Sequence, residues 1–170
     1  MSSTQSARLH EKEGRVIVCG IDLSSFFVDI VYIETGVPRW ARISLGVDGD
    51  AFDRSRGVLA ALKAETPGLT FPSGLKDCEA IGIAEPRGYN PGPAYRVQGA
   101  VLQAIPRTTL VQPWIPSQWR KKVGLPGNCK KEVIMAHVRS IFGTLVDDWP
   151  QDACDAWCIA EATRLALQKG

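Results

Sequence analysis

The sequence predicts an α/β fold: one mixed five-stranded sheet, three antiparallel strands followed by parallel strands, flanked by helices. Three observations carry this. Three short apolar runs separated by turn residues lie before residue 46. An uninterrupted apolar run, Ala80-Ile-Gly-Ile-Ala84, returns only after a stretch of helical periodicity. Beyond Pro116 the apolar residues recur mainly at helical spacing.

Val16 to Ser25, Val-Ile-Val-Cys-Gly-Ile-Asp-Leu-Ser-Ser, reads as a short buried strand that delivers the carboxylate of Asp22 at its end. Ser24 and Ser25 make a turn, and Phe26 to Glu34, rich in Val, Ile, Phe and Tyr, is the returning strand of a hairpin. After Gly36 and Pro38, Arg39 to Leu45 sets Trp40, Ile43 and Leu45 among polar partners and reads as a third strand. From Asp50, residues Phe52, Val58, Leu59 and Leu62 mark a helix of about four turns that stops before Pro67 and Gly68. Thr66 to Gly74 is a connector. Glu79 to Glu85 is a buried strand ending on a second carboxylate, and after a crossover helix it pairs parallel to the first strand.

Pro86 to Pro93 is a loop, and Pro93 to Ile105 a helix with Val97, Ala100, Val101 and Ala104 on its apolar face. Thr108 to Gln112 is a fifth strand, closed by Pro113. Pro116 to Val123 is a short basic helix and Gly124 to Cys129 a loop. Lys130 to Phe142 is an amphipathic helix with Val133, Ile134, Val138 and Ile141 facing inward. Asp152 to Lys169 is a last helix packed on the sheet.

Composition fits this reading. With 170 residues, 45% hydrophobic and 22% charged, the chain can bury a core without covalent staples. Residues 1–14 are polar and mixed in charge and read as a flexible tail before one domain, 15–170. Five cysteines, an odd number without a secretory signal, point to a reducing compartment and cytoplasmic residence. No apolar run reaches the roughly 18 residues of a membrane span, so no membrane partner is expected. Cys154 and Cys158, with His137 nearby in sequence, lack the paired spacings of a zinc site and read as small packing residues.

Charge is unevenly placed. Between Arg107 and Arg139 stand seven Lys or Arg against one acid, Glu132, whereas Asp147, Asp148, Asp152, Asp155 and Glu161 follow. A basic stretch beside an acidic one suits a metal-dependent enzyme acting on a polyanion. A solvated surface of uneven charge is the plainer reading.

The acids sharpen the choice. Parallel first and fourth strands would bring Asp22 and Glu85 to one sheet end. Asp152 and Asp155, three apart, share a face of the last helix and can lean toward that end. Carboxylates gathered there form an oxygen cage for Mg²⁺ or Mn²⁺, and two ions suit phosphodiester hydrolysis. Each acid also has a plain role: Asp22 as a turn residue, Glu85 as an exposed partner of Arg87, Asp152 as a helix N-cap and Asp155 as an exposed first-turn acid.

Gly20-Ile21-Asp22 after an apolar strand, the strand ending at Glu85, and Asp152-Ala-Cys-Asp155-Ala-Trp-Cys-Ile-Ala opening the last helix resemble the RuvC family of Holliday-junction resolvases. The resemblance runs from about Val16 to the end and is nearest to phage-type members, since Asp22-Leu-Ser-Ser departs from the Asp-Pro-Gly turn of bacterial ones. It implies an RNase H-like fold, Asp22, Glu85, Asp152 and Asp155 as catalytic metal ligands, two Mg²⁺ ions replaceable by Mn²⁺, a homodimer, and a four-way DNA junction as substrate.

It also implies a lysine at the scissile phosphate, matched by Lys130 or Lys131, with Lys130 placed in the catalytic set. Lys121 or Lys122 matches a basic residue upstream. Arg120 and Arg87 join the expected DNA contacts, and Tyr89 is the candidate aromatic wedge. A broader flap or fork nuclease and a non-catalytic junction-binding module are the rival functions. An actin-like or sugar-kinase fold shares the Gly-Ile-Asp strand but needs a second phosphate loop and a longer chain.

Overall fold

The computed structural model describes residues 16–34, 36–45, 50–63, 75–88 and 91–168. The expected tail, the Thr66 to Gly74 connector and Tyr89 lie outside them.

The apolar runs form β1 (Ile17–Leu23), β2 (Phe27–Glu34), β3 (Val37–Ser44), β4 (Ala80–Ala84) and β5 (Leu110–Trp114), in the order β3-β2-β1-β4-β5. β1 pairs antiparallel with β2, and β2 with β3; β4 lies parallel to both β1 and β5. The helices are α1 (Ala51–Lys63), α2 (Gly92–Ala104), α3 (Pro116–Lys122), α4 (Lys131–Phe142) and α5 (Gln151–Leu167), with 3-10 turns at Leu75–Asp77 and Gly143–Val146. The mixed sheet and its flanking helices are those the sequence predicts.

Strand alternation divides the core between two faces. Cys19, Ile21, Val28, Ile30, Ile81 and Ile83 pack with Val58 of α1 and Val97 and Val101 of α2. On the other face Val31, Ile33 and Trp114 meet α5, with Trp119 of α3 and Ile134 and Val138 of α4 outside it. Ten residues of α5, Ala153 to Ala160, Ala162 and Thr163, are buried. A helix held between a sheet and further helices is apolar around most of its circumference, which explains its run of Ala, Cys, Trp and Ile.

Two local expectations are corrected. Pro113 does not close β5 but lies within it, opposite Ile83. An edge strand tolerates proline, because one side of its backbone has no ladder partner. In α4 only Ile134 and Val138 of the four expected inward residues are buried, and Val133 and Ile141 are exposed. The stripe runs instead through Ile134, Val138 and Phe142, the last set edge-on to Trp157 with ring centroids 5.3 Å apart. No helix among the described residues is long and apolar enough to cross a membrane.

Candidate metal centre

Two strand glycines set the depth of α5. A Cβ at Gly20 would overlap the backbone carbonyl of Ala156 and the amide nitrogen of Ala160, and one at Gly82 would overlap the Thr163 hydroxyl and lie 2.8 Å from Ile159 Cγ2. Neighbouring strands thus present bare backbone to the helix, which settles closer than any side chain would permit. Thr163 ties down the far end: its hydroxyl donates to Ile159 O at 2.8 Å and accepts from Trp114 Nε1 at 2.9 Å. Asp22, two residues beyond Gly20, points to the same face, toward the first turns of α5.

There the acids meet. Carboxylate oxygens of Asp22, Asp152 and Asp155 lie within 4.8 Å of one another. Asp152 is a first-turn residue and not the N-cap, a position held by Pro150. Asp155 is buried; its Oδ2 accepts from Gln151 Nε2 at 2.7 Å, and its Oδ1 has no hydrogen-bond partner among the described residues. Burial, reinforced by the Asp155, Asp152 and Asp29 charges, holds Asp22 well above the usual carboxylate range. Burial likewise pushes Asp155 up to about 7, with Asp152 adding to the rise and Arg120, Lys131 and the Gln151 hydrogen bond opposing it. Three convergent hard oxygen donors, one of them buried with an unused oxygen, fit a small divalent cation of the Mg²⁺ or Mn²⁺ type.

No family model and no curated protein matches this sequence. Among solved structures, Thermus thermophilus RuvC in complex with a Holliday junction substrate matches with a TM-score of 0.68 at 20% identity, over 91% of this chain and 96% of that one. A second T. thermophilus RuvC structure matches with a TM-score of 0.64 at 20% identity, over 91% and 97% of the respective chains. The fold is that of RuvC.

Within this RuvC fold, Glu85 stands one residue beyond β4, at the sheet end where β1 delivers Asp22, and its amide donates to Trp114 O at 2.9 Å. Its carboxylate is not one of the clustered three: Arg87 Nη2 donates to it at 2.8 Å in an exposed pair. Both plain features of the sequence coexist here, a strand-end acid in the expected place and its bond to Arg87.

Lys130 occupies the N-cap position of α4 and Lys131 its first residue; Arg120, Lys121 and Lys122 form the last turn of α3. Arg120 Nη1 donates to Gly127 O at 3.3 Å, and its guanidinium lies 5.0 Å from the Trp119 ring centroid. Arg120 and Lys131 are the two cations whose fields lower the Asp155 pKa.

Asp29 and Arg42, on the two strands to one side of Asp22, are site residues that no sequence motif marks. Asp29 of β2 is paired with Asp22 and, across β2, with Arg42 of β3, so one row crosses three strands as acid, acid, base. Asp29 is buried inside the otherwise apolar run Phe-Val-Asp-Ile-Val-Tyr-Ile. A lone acid in such a strand was the available signal, because burial of a charge demands a partner.

Proposed function

We propose that this chain is a divalent-metal-dependent endodeoxyribonuclease that resolves four-way DNA junctions, working as a homodimer from one nuclease domain that begins near residue 15. The observation that carries the reading is the meeting of Asp22, Asp152 and Asp155 within 4.8 Å at the end of β1, in a chain with the RuvC fold. These three acids would hold Mg²⁺ or Mn²⁺, with Glu85 at the same sheet end as the fourth ligand of a two-ion site. A cation held by these residues would supply Lewis acidity toward a phosphodiester and lower the pKa of a bound water.

The remaining roles belong to the chain. Burial and mutual repulsion keep Asp22 and Asp155 reluctant to ionise without a cation, so occupancy and deprotonation are coupled. Arg120 and Lys131 supply positive potential beside Asp155, where a phosphate must come close; Lys121, Lys122 and Lys130 extend that basic edge along α3 and the start of α4. Arg87 would exchange Glu85 for a DNA phosphate, and Tyr89 is the proposed wedge. Two equivalent sites are needed to cut a two-fold junction symmetrically, which is the ground for the dimer.

The test is cleavage of an end-labelled synthetic four-way junction with Mg²⁺, wild type beside Asp22→Asn. The proposal expects paired symmetric nicks from the wild type and none from the variant, with junction binding retained in both. Binding without nicks from the wild type would make the protein a junction-binding module. Equally rapid cutting of flaps and forks would make it a general branched-DNA nuclease.

A further inference from the structure

Asp29 has no free oxygen to offer a cation. Its Oδ1 accepts from Trp40 Nε1 at 2.8 Å and from Arg42 Nε at 3.0 Å, while Oδ2 accepts from Arg42 Nη2 at 2.9 Å. With 1% of its surface exposed, this acid has exchanged solvent for a two-pronged grip on Arg42. The Phe27 ring adds a third restraint, its centroid 4.5 Å from the guanidinium carbon. Arg42 is thus fixed in plane and direction, and its Nη2 also lies 3.3 Å from Asp152 Oδ2.

Asp152 needs such a guide more than the other two acids. Asp22 is set by its strand and Asp155 by burial and Gln151, whereas the Asp152 side chain is 40% exposed on the first turn of a helix, where several rotamers are open to it. We propose that Arg42, clamped by Asp29, is a positioning residue that orients the Asp152 carboxylate for cation binding by engaging its Oδ2. The inference rests on the metal-centre reading above. Trp40 reinforces the arrangement, since its ring lies 6.2 Å from that of Trp149, three residues before Asp152. Outer partners of this type sharpen a metal site by fixing ligand direction.

Charge and position predict opposite outcomes here. Arg42 is a cation beside a cation site, so by charge alone its removal should tighten metal binding; as a guide for Asp152, its removal should weaken binding. Calorimetric titration of the full chain with MnCl₂, without DNA, separates them. Arg42→Gln is expected to raise the Mn²⁺ dissociation constant roughly tenfold. Arg42→Lys keeps the charge but loses the planar fork, and is expected to weaken binding severalfold. Both variants are melted in EDTA alongside wild type, and Arg42→Lys carries the test if Arg42→Gln does not fold. Unchanged or tighter Mn²⁺ binding in the folded variant overturns the proposal. Asp22→Asn is the control for the underlying reading: if it binds Mn²⁺ as wild type does, the metal centre itself is refuted, whatever the Arg42 variants show.

Discussion

Raising the pH of the metal-free protein should destabilise it across the range where most proteins change little. The Asp155 carboxyl sits at about 7 in the folded chain, chiefly because it is buried, whereas an unfolded aspartate titrates near 3.9. Between those values the folded state holds a proton that the unfolded state has released. This contribution is therefore complete below about pH 4 and is lost as the pH climbs through 7. The slope reaches about 1.4 kcal/mol per pH unit, so going from about pH 5 to 7 removes roughly 2–3 kcal/mol. For a chain of this size that corresponds to a fall in Tm of roughly 5–10 °C. Asp22, raised by burial and by three neighbouring acids, acts in the same direction. A divalent cation reverses the trend, because it requires the deprotonated ligands: Mg²⁺ should raise Tm strongly near pH 8 and little near pH 5. Thermal melts in EDTA and in excess Mg²⁺ across this range are the assay, with Asp155→Asn expected to flatten the EDTA slope. A metal-free Tm that holds level or rises from pH 5 to 7, or equal Mg²⁺ stabilisation at both ends, would refute the reasoning.

Three further outcomes follow from the packing and the charge. Gly20→Ala drives a methyl into the backbone of Ala156 and Ala160 and should cost roughly 1–3 kcal/mol or more, with loss of Mn²⁺ binding as α5 lifts from Asp22. The same substitution at Gly99 of α2, where an added Cβ meets nothing within 4 Å, should instead stabilise by about 0.5–1 kcal/mol, both read from chemical denaturation. Alanine at Arg120, Lys121, Lys122, Lys130 or Lys131 should weaken junction binding, and at Lys121, Lys122 or Lys130 it should do so without altering Mn²⁺ affinity greatly. Each residue that touches a phosphate should lower the slope of log K against log salt by about one, and an unchanged slope removes that residue from the interface.

How much of this was legible in the sequence depends on whether the information was local. The strands could be read because β1 and β4 are buried on both faces and appear as unbroken apolar runs, and their parallel pairing followed from one crossover. Pro113 misled because a proline marks the end of a strand only when both sides of the strand are paired, and no local signal says which strand is the edge. In α4 the apolar residues span more than one stripe, and the choice of Ile134, Val138 and Phe142 over Val133 and Ile141 was made by Trp157 on another helix. Among the acids, Asp22, Asp152 and Asp155 were recoverable because strand end and helix start converge. The direction of the Glu85 carboxylate was not, since it is decided at an exposed site by Arg87 two residues on.

The glycines connect fold and site more closely than the motif alone suggests. Gly20 and Asp22 lie two apart on one strand face, so the residue that admits α5 and the residue that meets its acids are fixed by the same alternation. Close approach of the helix is what buries Asp155, and burial is what raises its proton affinity. A bulkier residue at position 20 would move the helix outward and expose Asp155 to water, making the apo protein easier to ionise and the cation less needed. The acid cluster is therefore a consequence of how tightly sheet and helix can pack, and Asp29 with Arg42 completes it by fixing Asp152, whose side chain stays 40% exposed.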